Sequence, residues 1–246
     1  PAAICARPGA PRNAALKFGP SPWGTSPVGP FLAYYMRVEN LDRDLGVSFH
    51  TLYANGGQSA RDMAAALLTA SDEQLSLYFS RVRALQTAPR AVLVRVNTGL
   101  NDRNETLVSL GPAAVTDADS AAAFSDNMTA IFARIEAIWS LNGWPPEELY
   151  YLISVSHPVS TPDDAELVSY REAAEALAAS HPRTAATRFD RLTDSSEMLT
   201  NGWYQAGGGD RNHLTLAAFE ALSRREVDAA RPLPCRGDAN DDSQVN

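Results

Sequence analysis

The chain has 246 residues, 45% hydrophobic and 20% charged, the composition of a globular protein with one substantial core. A net charge of -8 and a pI of about 5.0, with Lys and Arg scattered, argue against a nucleic-acid or anionic-membrane surface. No apolar run approaches the ~20 residues of a membrane span.

Residues 1–30 are rich in Pro, Gly and Ala and carry little periodicity, apart from a short strand-like AALKF ending at Phe18. Residues 29–46 then read as a helix, with Pro30 at its start and Gly46 at its end. SFHTLYA follows as a strand. Ser71 to Gln74 has the form of a capping box, and Leu75, Phe79, Val82 and Leu85 follow at helical spacing. Residues 91–97 form an apolar strand. Phe124, Met128, Ile131, Ile135 and Ile138 keep one apolar helix face through four turns. LYYLISV, residues 149–155, is a second apolar strand. Leu167, Tyr170, Ala174 and Leu177 mark another helix, residues 185–190 a weaker strand, and residues 216–227 a last helix. Strands that are apolar on both faces and alternate with helices predict a mainly parallel sheet covered on each side. The expected fold is a three-layer α/β/α sandwich with a flavodoxin-like central sheet.

Ligands of such sheets bind outside the carboxyl ends of the strands, so the loops at 19–26, 55–61, 98–105, 156–163 and 206–213 hold the candidates. In Asn55-Gly-Gly-Gln-Ser-Ala-Arg61, glycine lets a backbone N–H turn toward a ligand. In Gly99-Leu-Asn101-Asp102, a side-chain amide at a strand's end can donate to an oxyanion. In GGGDRNHLT, Asp210 and His213 are three apart in a predicted turn entering a helix. There the carboxylate can hold one imidazole nitrogen while the other faces outward as a general base. Taken singly, each has a plainer reading: a tight turn, a loop, and a helix cap followed by a surface histidine.

Together, in chain order, the three loops resemble the motif blocks of the SGNH, or GDSL-type, esterase and lipase family. GGQSAR is similar to its second block, in the form found in rhamnogalacturonan acetylesterase-like members, with Gly57 at the oxyanion position. GLND matches the third block, with Asn101 as amide donor, and DRNH the last, with Asp210 and His213. The resemblance spans roughly 14–230 and implies a metal-independent serine ester hydrolase, with no cofactor for catalysis. It also implies a small-molecule or polysaccharide ester as substrate, a carbohydrate acetyl ester being the best fit.

The family's first block usually reads Gly-Asp-Ser, which this chain lacks. Gly19-Pro20-Ser21 stands nearest, after AALKF and 36 residues before Gly57, leaving space for one helix and one strand. Ser21 is therefore the first candidate nucleophile, its own N–H joining Gly57 and Asn101 in the oxyanion hole. Pro20 and Pro22 flank it, and Pro-Ser-Pro is also a loop signature. Ser26 is the second candidate. The remaining alternative is an inactive relative of the fold that serves as a carbohydrate-binding or surface module. A phosphate- or nucleotide-binding domain ranks third, because neither a Walker A pattern nor GxGxxG after a strand occurs.

Among the other histidines, His157 ends a strand on the site's side and is expected to line the pocket, whereas His50 and His181 read as structural or solvent-facing. Asn104-Glu-Thr and Asn127-Met-Thr match glycosylation acceptors, a pattern common by chance. Cys5 and Cys235 fit either one disulfide between the terminal segments or two thiols. Asp238, Asn240 and Asp242 alternate like the first half of a calcium loop, with Ser243 in place of the usual Gly. They resemble the start of a dockerin-type repeat that stops before its last ligand, and an acidic tail is the plainer reading. Calcium is expected only in a complete repeat, which would also take a cohesin-type partner. The expected organisation is an extension at 1–13, a catalytic domain at 14–230, and a linker with the start of the repeat at 231–246. Dockerin-type modules belong to secreted proteins, so the expected location is extracellular, any secretion signal having preceded Pro1.

Overall fold

The computed structural model describes residues 14–18, 48–51, 58–84, 92–104, 118–159, 165–208 and most of 210–225, with backbone alone at 14–18, 48–51, 118, 119, 166, 206 and 210. Five strands, β1 (Ala14–Phe18), β2 (Ser48–Thr51), β3 (Val92–Thr98), β4 (Leu149–Val155) and β5 (Thr184–Thr187), pair in the order β2-β1-β3-β4-β5. Every neighbour is parallel. This is the doubly wound, flavodoxin-like order expected above.

Four long helices connect the strands: α1 (Ala60–Thr69), α2 (Asp72–Ala84), α3 (Ala118–Leu141) and α4 (Ala165–Ser180). The connections β2 to β3, β3 to β4 and β4 to β5 all advance in one direction across the sheet. Right-handed crossovers therefore stack these helices on one face. Pleating decides which strand residues meet them. Val92, Val94, Val96, Leu149, Tyr151, Ile153 and Val155 form one buried cluster with Leu67, Phe79, Phe124, Ile131, Ile135 and Tyr170. The intervening Leu93 and Leu152 pack with Ala185 on the opposite face, where Arg95 is also buried. No helix among the described residues is long and apolar enough to cross a membrane.

The capping box at Ser71 forms as expected, Gln74 N–H donating to Ser71 Oγ and Ser71 N–H to Gln74 Oε1, each at 3.2 Å. Three expectations change. The loop expected to run to Arg61 ends at Ser59, which caps α1 in a second capping box with Asp62. The strand expected at 185–190 stops at Thr187, and Phe189–Leu192 is a helical turn (α5). There the Arg188 guanidinium clamps Asp190 at 2.6 Å and Glu175 at 2.6 Å, which draws the chain out of the sheet. The third change concerns Asp210–Leu214, expected as a turn into a helix. It is a strand, β7, paired antiparallel with β6 (Tyr204–Gln205) beyond a further short helix, α6 (Ser195–Thr200).

The pairing is irregular: Tyr204 faces Leu214 but Gln205 faces Asp210, so Arg211, Asn212 and His213 bulge out of the ladder. Gly207 and Gly208, at φ 61° and 92°, make the reversal before it. Helical backbone resumes by Ala217 and recurs through Arg225, within the range expected for the last helix. Ala218 and Leu222 from this stretch pack with Phe189, Met198, Trp203, Tyr204 and Leu214 in a second cluster.

Candidate active site

At the carboxyl end of β3 the chain turns through Gly99, whose φ is +101°. A Cβ there would lie 2.7 Å from Val155 Cγ1, so only glycine lets this turn press against β4. Residues 100–104 form a single helical turn, closed by Arg103 N–H donating to Gly99 O. Inside it sits the Asp102 carboxylate, 8% exposed. It accepts from the Thr98 hydroxyl at 2.8 Å, Gly99 N–H at 3.0 Å and Ala60 N–H at 3.0 Å. Burial raises the Asp102 pKa, and these donors act against the rise. Ala60 opens α1, so the carboxylate sits where the helix dipole favours negative charge. Asp102 thus bolts the third block to the second.

That bolt positions Asn101. Its side-chain amide donates to Gln58 O at 2.9 Å, in the residue after Gly57. An Asn amide has two N–H donors, so one remains for a further acceptor. The second and third blocks, 43 residues apart in sequence, therefore meet in space. β1 ends at Phe18 opposite Val96, so its carboxyl end lies at this same edge of the sheet.

The last block approaches from the neighbouring strand. His157, 8% exposed just past β4, is hydrogen-bonded through Nε2 to Arg211 O at 3.1 Å. A carbonyl only accepts, so Nε2 carries the proton and Nδ1 receives the Ser156 hydroxyl at 3.3 Å. Burial lowers the His157 pKa to about 4, with the nearby charges of Arg171, His213 and Arg103 acting in the same direction. Arg103 belongs to the third block and His213 to the last, so both converge on this ring. His213 itself is exposed in the bulge.

The site thus brings together Asn101, the backbone after Gly57, and the strand carrying Asp210 and His213. His157 lies among them, but as a buried ring rather than an open pocket wall. Ser21, Ser26, Gly57, Cys5, Cys235, Asp238, Asn240, Asp242 and the side chains of His50 and Asp210 lie outside the described residues. His181 is structural: Nδ1 meets Thr184 Oγ1 at 2.7 Å and Nε2 meets Glu136 at 3.2 Å. Asn127 lies mid-helix on α3, where its amide donates to Ala123 O. The anchoring by Asp102 and the fully buried Arg171, which donates to Ser156 O at 2.8 Å, were not foreseen. The one available hint was an acidic residue directly after Asn101. Among the described residues no group of three His, Cys, Asp or Glu could hold a metal ion.

A parallel 2-1-3-4-5 sheet with loops gathered at its carboxyl ends defines a flavodoxin-like α/β/α protein, and solved structures share that fold. The chain is similar to a lipase from a goat rumen metagenome, with TM-score 0.62 and 15% identity over 89% of this chain and 97% of that one. It is also similar to a lipase/acylhydrolase from Enterococcus faecalis, with TM-score 0.54 and 16% identity over 88% and 95%. A third likeness is to a member of the lipolytic G-D-S-L family from Veillonella parvula, with TM-score 0.50 and 14% identity over 90% and 100%. At these identities the shared property is the fold. No family model and no curated protein matches the chain.

Proposed function

We propose that the protein is a serine ester hydrolase of the SGNH type. The observation that carries this reading is the Asn101 amide, held against the backbone that follows Gly57 at the carboxyl end of the sheet. In the proposed reaction Ser21 Oγ attacks the ester carbonyl carbon while His213 removes its proton, and Asp210 orients the His213 ring. The negative charge that develops on the carbonyl oxygen is met by the N–H groups of Ser21 and Gly57 and by the second Asn101 N–H. Collapse of the tetrahedral intermediate breaks the bond to the alcohol oxygen, which leaves with the proton held by His213. Water then attacks the acyl-Ser21 ester, gives a proton to His213, and releases the acid as Ser21 regains its hydrogen.

The similarity of GGQSAR to acetylesterase sequences supports an acetyl or other short acyl group on a carbohydrate as the substrate. The likeness of Asp238, Asn240 and Asp242 to the start of a dockerin-type repeat, a module of secreted proteins, supports a place outside the cell, with calcium and a cohesin-type partner belonging only to a complete repeat. Pro20 and Pro22 favour one second reading, an inactive relative of the fold that serves as a carbohydrate-binding or surface module.

Hydrolysis of p-nitrophenyl acetate and acetate release from an acetylated polysaccharide, each with Ser21→Ala and Ser26→Ala, test the assignment. The expected result is loss on the order of 10⁴-fold or more for Ser21→Ala and a change of only a few-fold for Ser26→Ala. Full activity in Ser21→Ala would overturn the nucleophile.

A further inference from the structure

We infer that His157, which takes no part in the proposed reaction, is a positioning residue that fixes the segment bearing Asp210 and His213 relative to the oxyanion donor Asn101. The inference rests on the reading of Asp210 and His213 as the acid–base pair.

A buried imidazole must have its nitrogens satisfied, and His157 spends its N–H on one backbone atom, Arg211 O, at 3.1 Å. Arg211 is the first residue of the bulge between Asp210 and Leu214, where the β6–β7 ladder is broken. A bulge released from its ladder needs another restraint to hold a side chain in one place, and this hydrogen bond supplies it.

The ring is itself held from several sides. Ser156 N–H donates to Thr98 O at 3.3 Å, at the root of the Asn101 turn. Arg171, buried on α4, donates to Ser156 O at 2.8 Å. The Tyr204 hydroxyl donates to Pro158 O at 2.6 Å, tying the partner strand of the bulge to the next residue. A continuous path therefore runs from the Asn101 turn through Thr98, Ser156 and His157 to Arg211, two residues before His213. General base and oxyanion donor belong to different segments of the chain, and this path links them.

The test compares wild type with His157→Phe, which keeps a ring but loses the donor, and His157→Gln, whose amide N–H can still reach a carbonyl. kcat and KM on p-nitrophenyl acetate, the rate of fluorophosphonate labelling at Ser21, and thermal midpoints are measured for each. A misplaced base lowers kcat for His157→Phe on the order of 10²-fold with KM within about twofold, and labelling slows in parallel. His157→Gln recovers most of the loss. If His157→Phe does not fold, the same comparison is made with His157→Asn, whose shorter amide falls short of Arg211 O. Wild-type kcat in a folded His157→Phe or His157→Asn, whatever the change in thermal midpoint, would overturn the positioning role and leave the esterase reading intact. Absence of labelling and hydrolysis in wild type would overturn both.

Discussion

Asn101 is where residue chemistry bears most directly on the proposed activity. One amide N–H is engaged by Gln58 O at 2.9 Å and the other is available to an oxyanion. Replacing it with alanine removes both. Steady-state kinetics of Asn101→Ala should show kcat lowered about 10²–10³-fold, the usual cost of one oxyanion donor. Chemical denaturation should show a loss of about 1 kcal/mol for the structural bond. Activity within a few-fold of wild type would remove Asn101 from the oxyanion hole. The residue's candidacy was readable from GLND alone, because a strand followed by Gly and Asn has a chemical meaning wherever it occurs. The role of Asp102 was not, since its partner Ala60 is 42 residues away and contributes only a backbone N–H.

At the level of elements, the contact of β3 with β4 depends on the turn that ends β3. Gly99 combines a left-handed φ with a Cβ direction blocked by Val155 Cγ1 at 2.7 Å. Gly99→Ala should therefore cost about 1–3 kcal/mol from backbone strain and overpacking. It should also lower esterase activity, because Asn101 and Asp102 ride on this turn. A denaturation midpoint equal to wild type would show that the turn can open without loss.

The apolar runs of β3 and β4 and the helix face from Phe124 to Ile138 were legible because burial on both sides leaves an unbroken hydrophobic signal. The start of α1 was harder to see: its capping box uses Asp62 in place of the usual Glu or Gln, behind a glycine-rich loop. The bulge at 211–213 could not be read. Gly-Gly-Gly-Asp is an equally good signal for a turn into a helix, and what selects the bulged strand is docking onto His157 and Tyr204, contacts distant in sequence.

The whole molecule should register the burial of His157 as a pH dependence of stability. Its folded pKa of about 4 lies below the ordinary 6.5. Between those values the unfolded chain binds a proton that the folded chain does not. This contribution is fully present above about pH 6.5 and is lost as pH falls toward 4, amounting to about 3 kcal/mol. Denaturant midpoints measured from pH 7 to pH 4.5 should fall in wild type, and fall less in His157→Gln. Identical slopes would mean that the ring is not held neutral by the fold.

Catalysis is also a property of the whole chain, because the proposed nucleophile, base and oxyanion donors come from four separate segments. Of these segments, the Asn101 contact joins two and the Arg211 tether anchors a third. Whether the parts converge on one reactive serine is answered by labelling the intact protein with a serine-directed fluorophosphonate and locating the adduct by mass spectrometry. The expected result is one adduct, on Ser21, that is lost in His213→Ala. A folded protein that takes up no label would contradict it and favour a carbohydrate-binding relative of the fold.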